Sequence, residues 1–320
     1  MIDNFETITD AAVAEFLQDF PEPSKVLVTT REQKLNQARM IALRGMDQSE
    51  ALELIRTEGR RIGMDSIEQA PDGVLLPLYG ITGGAPLALK WAVGQIKQPG
   101  QSLDTVLAAL YKAQGDIFNE IFVRSWSVLT PESQRVLMVM SLFAGSASRD
   151  AIKTADMLPD IALDEALEQL SEMSLVEVSG GLDVGFRYGL HPLTRVFSES
   201  RLMKCSQVLE SAWPALADFY SDYVTKYGGF NNWNHFDKIG TELHNILHVV
   251  AWCWDHEHAQ TGMHILHGTF EWLINYGYWN DALTWGQKAV SVARQRQDEL
   301  NAARFLIWPI STTLCNRELL

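Results

Sequence analysis

The hydrophobic pattern near the start of the chain predicts one helix and two strands. Apolar side chains recur at helical spacing from Ala12 until Pro21, which ends the pattern. The runs 25–31 and 39–43 are short, apolar and rich in β-formers, as parallel strands are when both of their faces are buried. The run 25–31 ends in two hydroxyl residues and an arginine. This part of the chain is therefore predicted to be α/β.

Beyond this region nearly all of the pattern is helical. Asp47 and Glu50 form the capping-box signature of a helix that runs to about Gly63. Two further helices are predicted to begin at prolines, one over 86–97 and one at Pro131. A proline at the first helical position costs no hydrogen bond, because its missing N–H would have no partner inside the helix.

A hairpin interrupts the helices. Two β-rich runs within 175–190 flank Gly180 and Gly181, and helical patterns precede and follow them. Helices followed by a hairpin and another helix make a winged-helix arrangement.

The tail from about Ser206 is helical and rich in tryptophan. In 277–290, small residues alternate with aromatic ones at a spacing that packs one helix closely against its partner, as in tetratricopeptide-type pairs. The pattern shows one clear unit, and Pro309 interrupts the start of a second. The tryptophans at 252, 254, 272, 279 and 285 are interpreted as the core of these repeats, with a partner-binding face as the alternative.

Composition narrows the classes of function. The chain has 320 residues, 47% of them hydrophobic, which suits two or three domains. Its formal charge of -14 disfavours binding to nucleic acid or an anionic membrane. Its three cysteines are few and widely spaced, which indicates a reducing compartment. With no signal-like start and no long apolar run, the chain is predicted to be cytoplasmic.

Four short motifs occur along the chain in one order: IDNFE (2–6), VLVTTR (26–31), GGAPLAL (83–89) and LHPLTR (190–195). Together they resemble the nucleotide-binding core of STAND-class signalling ATPases, the NB-ARC proteins that include plant resistance receptors and apoptosome scaffolds. In that family they correspond to the end of the Walker B strand, the sensor strand, the GxP motif and the bacterial variant of the Met-His-Asp motif. The resemblance covers residues 1 to about 204, and the tail looks like the repeat region of bacterial members.

This resemblance implies a fold class that is mainly α with a partial α/β P-loop NTPase remnant. Residues 1–63 would be the partial P-loop domain with the Walker B and sensor strands, and 64–129 a helical subdomain with the GxP motif. Residues 130–204 would be a winged-helix subdomain, and 205–320 an α-solenoid of TPR-like repeats.

The resemblance also implies ADP or ATP with Mg²⁺ as the cofactor. Asp3 would hold Mg²⁺ through water, and Glu6 would orient a hydrolytic water. Arg31 would contact the γ-phosphate as an always-charged donor. Pro86 would pack against adenine. His191 would donate to the β-phosphate of ADP and hold the winged-helix subdomain closed.

The phosphate cradle of such ATPases, G-x-x-x-x-G-K-[ST], has no counterpart here, since the chain contains no Gly-Lys dipeptide. Several charge-assisted contacts, at roughly 1.5 to 3 kcal/mol each, would be missing. We therefore expect poor nucleotide binding by this chain alone, and no catalysis, although intact family members are slow ATPases. The missing half of the domain would be either lost by truncation or supplied by an upstream polypeptide.

Each candidate residue also has a simpler interpretation. Asp3 and Glu6 could be an acidic pair that favours the following helix. Arg31 could be a surface arginine after a strand, and Pro86 could serve only to begin a helix. His191 could be a plain helix N-terminus.

The histidines also suggest a metal site, because seven of the eight lie between 235 and 267. His244 and His248 are one helical turn apart, but the segment lacks the glutamate of H-E-x-x-H and paired cysteines. Packing or solvent-facing histidines are the favoured interpretation.

Three functions follow from these observations. The first is a fragment of an ADP/ATP-dependent STAND switch, with nucleotide binding impaired, protein partners bound by the repeats and self-association of the intact protein. The second is a nucleotide-independent helical adaptor that binds proteins. The third, a winged-helix transcription regulator, is disfavoured because 131–204 contains seven Lys or Arg against eleven Asp or Glu, a balance of -4.

Overall fold

The structure, a computed structural model, describes residues 1–3, 5, 8, 10–18, 23–30, 38–39, 41, 45–112, 117–181 and 185–306. The chain divides into two compact units, Met1–Gly45 and Met46–Leu320. The described residues are mainly helical, as predicted, and contain one three-stranded sheet. Among the described helices, we find none whose length and hydropathy suit a membrane span.

The described part of the first unit contains helix α1 (Ala11–Gln18) and a parallel bridge between Ile2 and Val28. The expectation that 25–31 is buried on both faces is wrong at Leu27, which is 60% exposed. A parallel strand is covered on both faces only where other elements pack on it, and in the described residues its ladder is limited to this bridge. Of the predicted strand 39–43, residues 39 and 41 have no strand structure, and the others lie outside the described residues.

The second unit begins with six helices. Asp47 caps the first of them through the predicted capping box with Glu50, and Pro86 is the first residue of the fourth, so both predicted starts are confirmed. Buried apolar side chains of the first and fourth helices pack against each other. The bounds are α2 (Gln48–Arg61), α3 (Asp65–Glu68), α4 (Asp72–Thr82), α5 (Pro86–Ile96), α6 (Leu103–Lys112) and α7 (Ile117–Val128).

The predicted helix start at Pro131 is confirmed. Thr130 accepts a hydrogen bond from the Ser133 amide and so caps the helix that begins at Pro131.

The predicted hairpin is also confirmed. Gly180 has a φ of 84°, and a Cβ there would lie 2.2 Å from the Gly185 carbonyl oxygen, so this close approach requires glycine. The elements are α8 (Pro131–Met140), β1 (Ala147–Ser148), α9 (Arg149–Asp156), α10 (Asp160–Glu172), β2 (Glu177–Gly181), β3 (Gly185–Gly189) and α11 (Pro192–Leu202). The sheet is antiparallel with the order β1-β3-β2.

The tail is helical, as predicted, and glycines allow its helices to cross closely. A Cβ on Gly240 would lie 2.8 Å from the ring of Trp272, and a Cβ on Gly262 would lie 2.9 Å from Trp254. The elements are α12 (Ser206–Tyr227), a 3₁₀ helix (Phe230–His235), α13 (Phe236–Asp255), α14 (Ala259–Asn275) and α15 (Trp279–Gln295), and residues 299–306 are also helical.

Candidate functional site

Asp3 lies beside Thr29 in the first unit. The Ile2 amide donates to the Leu27 carbonyl oxygen at 2.8 Å, and the Thr29 amide donates to the Ile2 carbonyl oxygen at 2.9 Å, which is parallel pairing. The Thr29 hydroxyl donates to the Asp3 carboxylate. Asp3 and Thr29 therefore follow two paired, parallel segments at the same end, where open α/β sheets bind their ligands.

Phe5 fixes the segment after Asp3. Its amide donates to the Thr29 carbonyl oxygen at 2.9 Å, and its side chain is only 2% exposed. Asp3 itself is exposed, so its carboxylate can accept a ligand as well as the threonine hydroxyl. The two other residues predicted for this part of the site, Glu6 and Arg31, lie outside the described residues.

Pro86 lies at the start of α5, on a turn with two left-handed glycines. Gly83 ends α4 at a φ of 60°. Gly84 has a φ of 72°, its carbonyl oxygen accepts from the Met46 amide at 2.9 Å, and a Cβ would lie 2.3 Å from the Met46 carbonyl oxygen. The close approach to Met46 requires glycine at position 84, whereas at position 83 glycine eases only the left-handed backbone conformation. The pyrrolidine ring of Pro86 is exposed and can contact a ligand.

His191 caps helix α11 with its own imidazole. Nδ1 accepts a hydrogen bond from the Leu193 amide at 3.2 Å, so the neutral ring carries its proton on Nε2. Burial lowers the pKa of His191, and the charge of Glu177 opposes this effect less strongly. His191 is therefore neutral at pH 7, with an Nε2–H that can donate to an anion.

Arg195, one turn after His191 on α11, holds the loop that follows α8. Its guanidinium donates to the carbonyl oxygens of Ser141 at 3.1 Å, Phe143, and Gly145 at 3.4 Å. This arginine belongs to the LHPLTR motif, but its structural contact was not predicted, because nothing local in the sequence marks a loop about fifty residues earlier as its partner.

The turn after α10 joins the helices α2 and α5 to residues 130–202, which we call the hairpin segment. Trp91 of α5 is fully buried, and its Nε1 donates to the Ser174 carbonyl oxygen at 2.9 Å. Arg61 of α2 donates to the Ser171 carbonyl oxygen at 3.2 Å and to the Ser174 hydroxyl at 2.8 Å. A Cβ on Gly94 would lie 2.6 Å from Met173 Cα, so α5 approaches this turn with its backbone.

The predicted tryptophan stripe is largely internal packing. Trp272 is 6% exposed and stacks on Tyr276, and the ring of Trp254 lies 5.5 Å from that of Trp285. Trp279 is the exception, since 42% of it is exposed.

Histidines of the tail contact aromatic rings. His256 stacks on Trp252 at 4.6 Å, and His248 lies 5.3 Å from Trp213. Within the described residues, no three His, Cys, Asp or Glu side chains are grouped to hold a metal ion.

On the described surface, two open depressions lie beside Arg124 of α7. One, of about 210 Å³, lies against Gln95 and Gln101, and the other, of about 640 Å³, lies between α6 and α7. Of the predicted site residues that the structure describes, neither Asp3 nor Pro86 nor His191 lines either depression.

Comparisons with known proteins give one distant likeness worth describing. No protein-family model and no curated protein matches the chain. Among solved structures, the chain is similar to a Signal Transduction ATPase with Numerous Domains (STAND) protein with a tetratricopeptide repeat sensor from Pyrococcus horikoshii, at 16% identity and a TM-score of 0.39. The match covers 91% of this chain and 45% of that one, so the chain spans less than half of its length. Identity and TM-score are both too low to transfer a function.

Proposed function

We propose that this chain is a fragment of an ADP/ATP-dependent STAND signal-transduction switch. The observation that carries the proposal is the parallel pairing of Ile2 with Val28, which sets Asp3 beside Thr29. In P-loop ATPases a carboxylate at the end of one strand and a polar group at the end of its neighbour face the nucleotide phosphates. Two of the four motifs that suggested the resemblance, IDNFE and VLVTTR, are therefore neighbours in space.

The side chains of the first unit fit a magnesium nucleotide in part. The exposed Asp3 carboxylate offers hard oxygen atoms, the ligands that Mg²⁺ prefers, and Thr29 orients it. Glu6 would orient a hydrolytic water, and Arg31 would contact the γ-phosphate. A bound Mg²⁺ would supply charge neutralisation for the phosphates.

The side chains of the second unit fit the base and the β-phosphate. Pro86 presents an exposed, flat apolar ring, which suits adenine. His191 is neutral, and its Nε2–H suits a phosphate oxygen. In this proposal residues 130–204 form a winged-helix lid that closes on the nucleotide through His191, and residues 64–129 form the helical subdomain.

Affinity for nucleotide is expected to be low in this chain alone. The sequence has no Gly-Lys dipeptide and hence no P-loop lysine. Each missing charge-assisted contact removes roughly 1.5 to 3 kcal/mol, and each 1.4 kcal/mol is about tenfold in affinity. We therefore propose that the chain binds ADP weakly and does not hydrolyse ATP by itself.

Calorimetric titration with Mg-ADP tests this proposal. We expect weak, saturable heat from the natural sequence and none from His191→Ser. Serine retains a side-chain oxygen that can cap α11 but is too short to reach a ligand that imidazole contacts. His244→Ser, at an exposed position on α13, is the matched control and should leave binding unchanged. Absence of heat at millimolar nucleotide, or equal heat from His191→Ser, would refute the switch.

One observation favours a second function, that of a protein-binding helical adaptor. Four large side chains around the start of α15 are exposed to 42–55%, namely Tyr276, Tyr278, Trp279 and Leu283. Exposed aromatic residues on a helical array are typical of protein-binding faces. This adaptor would need no nucleotide, so a silent titration favours it over the switch.

A further inference from the structure

Five polar residues, three of them buried and two half-buried, form a junction between the hairpin segment and the helical tail. Ser146 precedes β1, Arg187 lies on β3, Tyr220 on α12, and Glu242 and Asn245 on α13. Tyr220, Glu242 and Asn245 are each at most 3% exposed. We call these five residues the polar junction.

Two side chains of the polar junction, Asn245 and Arg187, bind the loop that contains Ser146. Asn245 accepts from the Gly145 amide at 3.1 Å and donates to the Ser146 carbonyl oxygen at 2.9 Å. Arg187 donates from Nη2 to the same carbonyl and from Nε to the Ser146 hydroxyl at 2.9 Å. A side chain of the tail and a side chain of the hairpin therefore bind one short loop.

The acidic side of the polar junction is saturated with donors. One oxygen of Glu242 accepts from Arg187 Nη1 at 2.6 Å. The other accepts from the Tyr220 hydroxyl and from Asn245 Nδ2, both at 2.8 Å. Burial and the charge of Glu242 raise the pKa of Tyr220 well above its usual value, so the phenol stays protonated and keeps donating.

The same loop is bound by α11. Arg195 donates to the carbonyl oxygens of Ser141, Phe143 and Gly145, and Asn245 of the tail binds Gly145 and Ser146. Helix α13 and helix α11 are thus linked through a single loop of six residues, 141–146. His191 lies one turn before Arg195.

We propose that the polar junction makes the hairpin segment and helices α12 and α13 one cooperative body, so that a displacement of α13 moves loop 141–146 and α11 with it. Helices in purely apolar contact can shift past each other by small steps. A buried hydrogen-bonded network cannot, because breaking it leaves a charged group without its partner. Coupling of this kind needs an element with discrete arrangements, and in this proposal the polar junction, whole or broken, is that element. A movement of α11 would also carry His191, and this matters for nucleotide binding only if the proposed function is right. The coupling between α13 and α11 does not depend on that function.

Hydrogen exchange read by mass spectrometry, on the full chain without nucleotide, tests the coupling. The single variants are Arg187→Met and Glu242→Gln, and the double variant combines them. We expect each single variant to speed exchange about tenfold or more, both in residues 141–146 with α11 and in α12 with α13, since each leaves a buried charged group short of a partner. The double variant should speed exchange by less than the product of the two single effects.

Arg149→Met is the matched control, because Arg149 lies in the same segment but pairs with the exposed Asp160 and Asp164. It should change exchange only near α9 and α10. If Arg187→Met prevents folding, Tyr220→Phe removes a single hydrogen bond and should speed exchange in the same two regions by a smaller factor. Faster exchange confined to the mutated residue's own segment, or fully multiplicative single effects, would overturn the proposal. If exchange is coupled but titration with Mg-ADP gives no heat, the coupling through the polar junction is supported and the proposed nucleotide switch is refuted.

Discussion

Arg135 donates two hydrogen bonds to Asp156, one from Nε to the carboxylate and one from Nη2 to the backbone carbonyl oxygen at 2.9 Å. Asp156 is nonetheless 1% exposed, and its second carboxylate oxygen has no hydrogen-bond partner. Burial raises the pKa of Asp156 to about 6, and Arg135 only partly opposes this rise. Desolvation therefore outweighs the ion pair at this site.

The raised pKa of Asp156 predicts that Asp156→Asn increases the free energy of unfolding by an amount that depends on pH. Between pH 4 and pH 6 the folded state holds a proton that the unfolded state has lost, so this group's contribution to stability falls as the pH rises through that window. Asparagine does not titrate and keeps an oxygen for Arg135. Urea unfolding should show that the variant's free energy of unfolding at pH 7 exceeds that of the natural sequence by at most about 3 kcal/mol. This difference should shrink as the pH falls towards about 4. Asp164→Asn, in an exposed pair with Arg149, should show no such gain, and a gain independent of pH would contradict the assigned pKa.

The glycine pair before Pro86 predicts unequal effects of two adjacent substitutions. Gly84→Ala would place a Cβ 2.3 Å from the Met46 carbonyl oxygen, in addition to its positive φ. Gly83→Ala meets no atom within 4 Å and carries only the left-handed backbone cost, about 1 to 2 kcal/mol. Thermal unfolding should show Gly84→Ala as clearly the less stable variant. Equal melting temperatures would mean that the turn relaxes without cost.

The close helix crossings of the tail predict that Gly262→Ala and Gly240→Ala destabilise the chain. Each new methyl group would overlap an indole ring, at Trp254 and Trp272 respectively. Overpacking of this kind costs roughly 1 to 3 kcal/mol. Gly80→Ala is the matched control, because it lies in α4 with nothing within 4 Å and should be neutral or stabilising. Denaturant midpoints of the three variants give the comparison, which fails if Gly262→Ala unfolds no earlier than Gly80→Ala.

The buried thiol of Cys253 predicts slow chemical labelling. Cys253 is fully buried, and burial raises the pKa of its thiol to about 12, so little thiolate is present at pH 8. Cys205 is only partly buried. Labelling of the native chain, mapped by mass spectrometry, should therefore modify Cys205 before Cys253 and reach Cys253 only on unfolding. Equal labelling rates under native conditions would mean that α13 opens readily.

Features that depend on neighbouring residues were predictable from sequence. The helices at Asp47, Pro86 and Pro131 begin where predicted because caps and prolines act within one turn. The hairpin around Gly180 is specified in the same local way, by its positive φ.

Features that join distant residues were not predictable. Arg187 and Glu242 are 55 positions apart, and each alone resembles an ordinary surface charge. Leu27 was expected to be covered because its run is apolar, but burial depends on which elements pack on a strand, and that information is absent from the run itself. Of the predicted site, the resemblance placed Asp3 and the run containing Thr29 together, and the two segments do pair. The roles of Asp3, Pro86 and His191 all remain predictions.

The bond from Trp91 to the Ser174 carbonyl oxygen bears on how the chain folds during synthesis. The indole of Trp91 is fully buried, yet part of its environment is a turn translated 83 residues later. At a translation rate of roughly 5 to 20 residues per second, helix α5 would wait on the order of ten seconds for that turn. During this interval the face of α5 that meets the turn, at Trp91 and Gly94, lacks its native partner. We therefore expect chaperones to bind the nascent chain chiefly before the ribosome has translated Ser174.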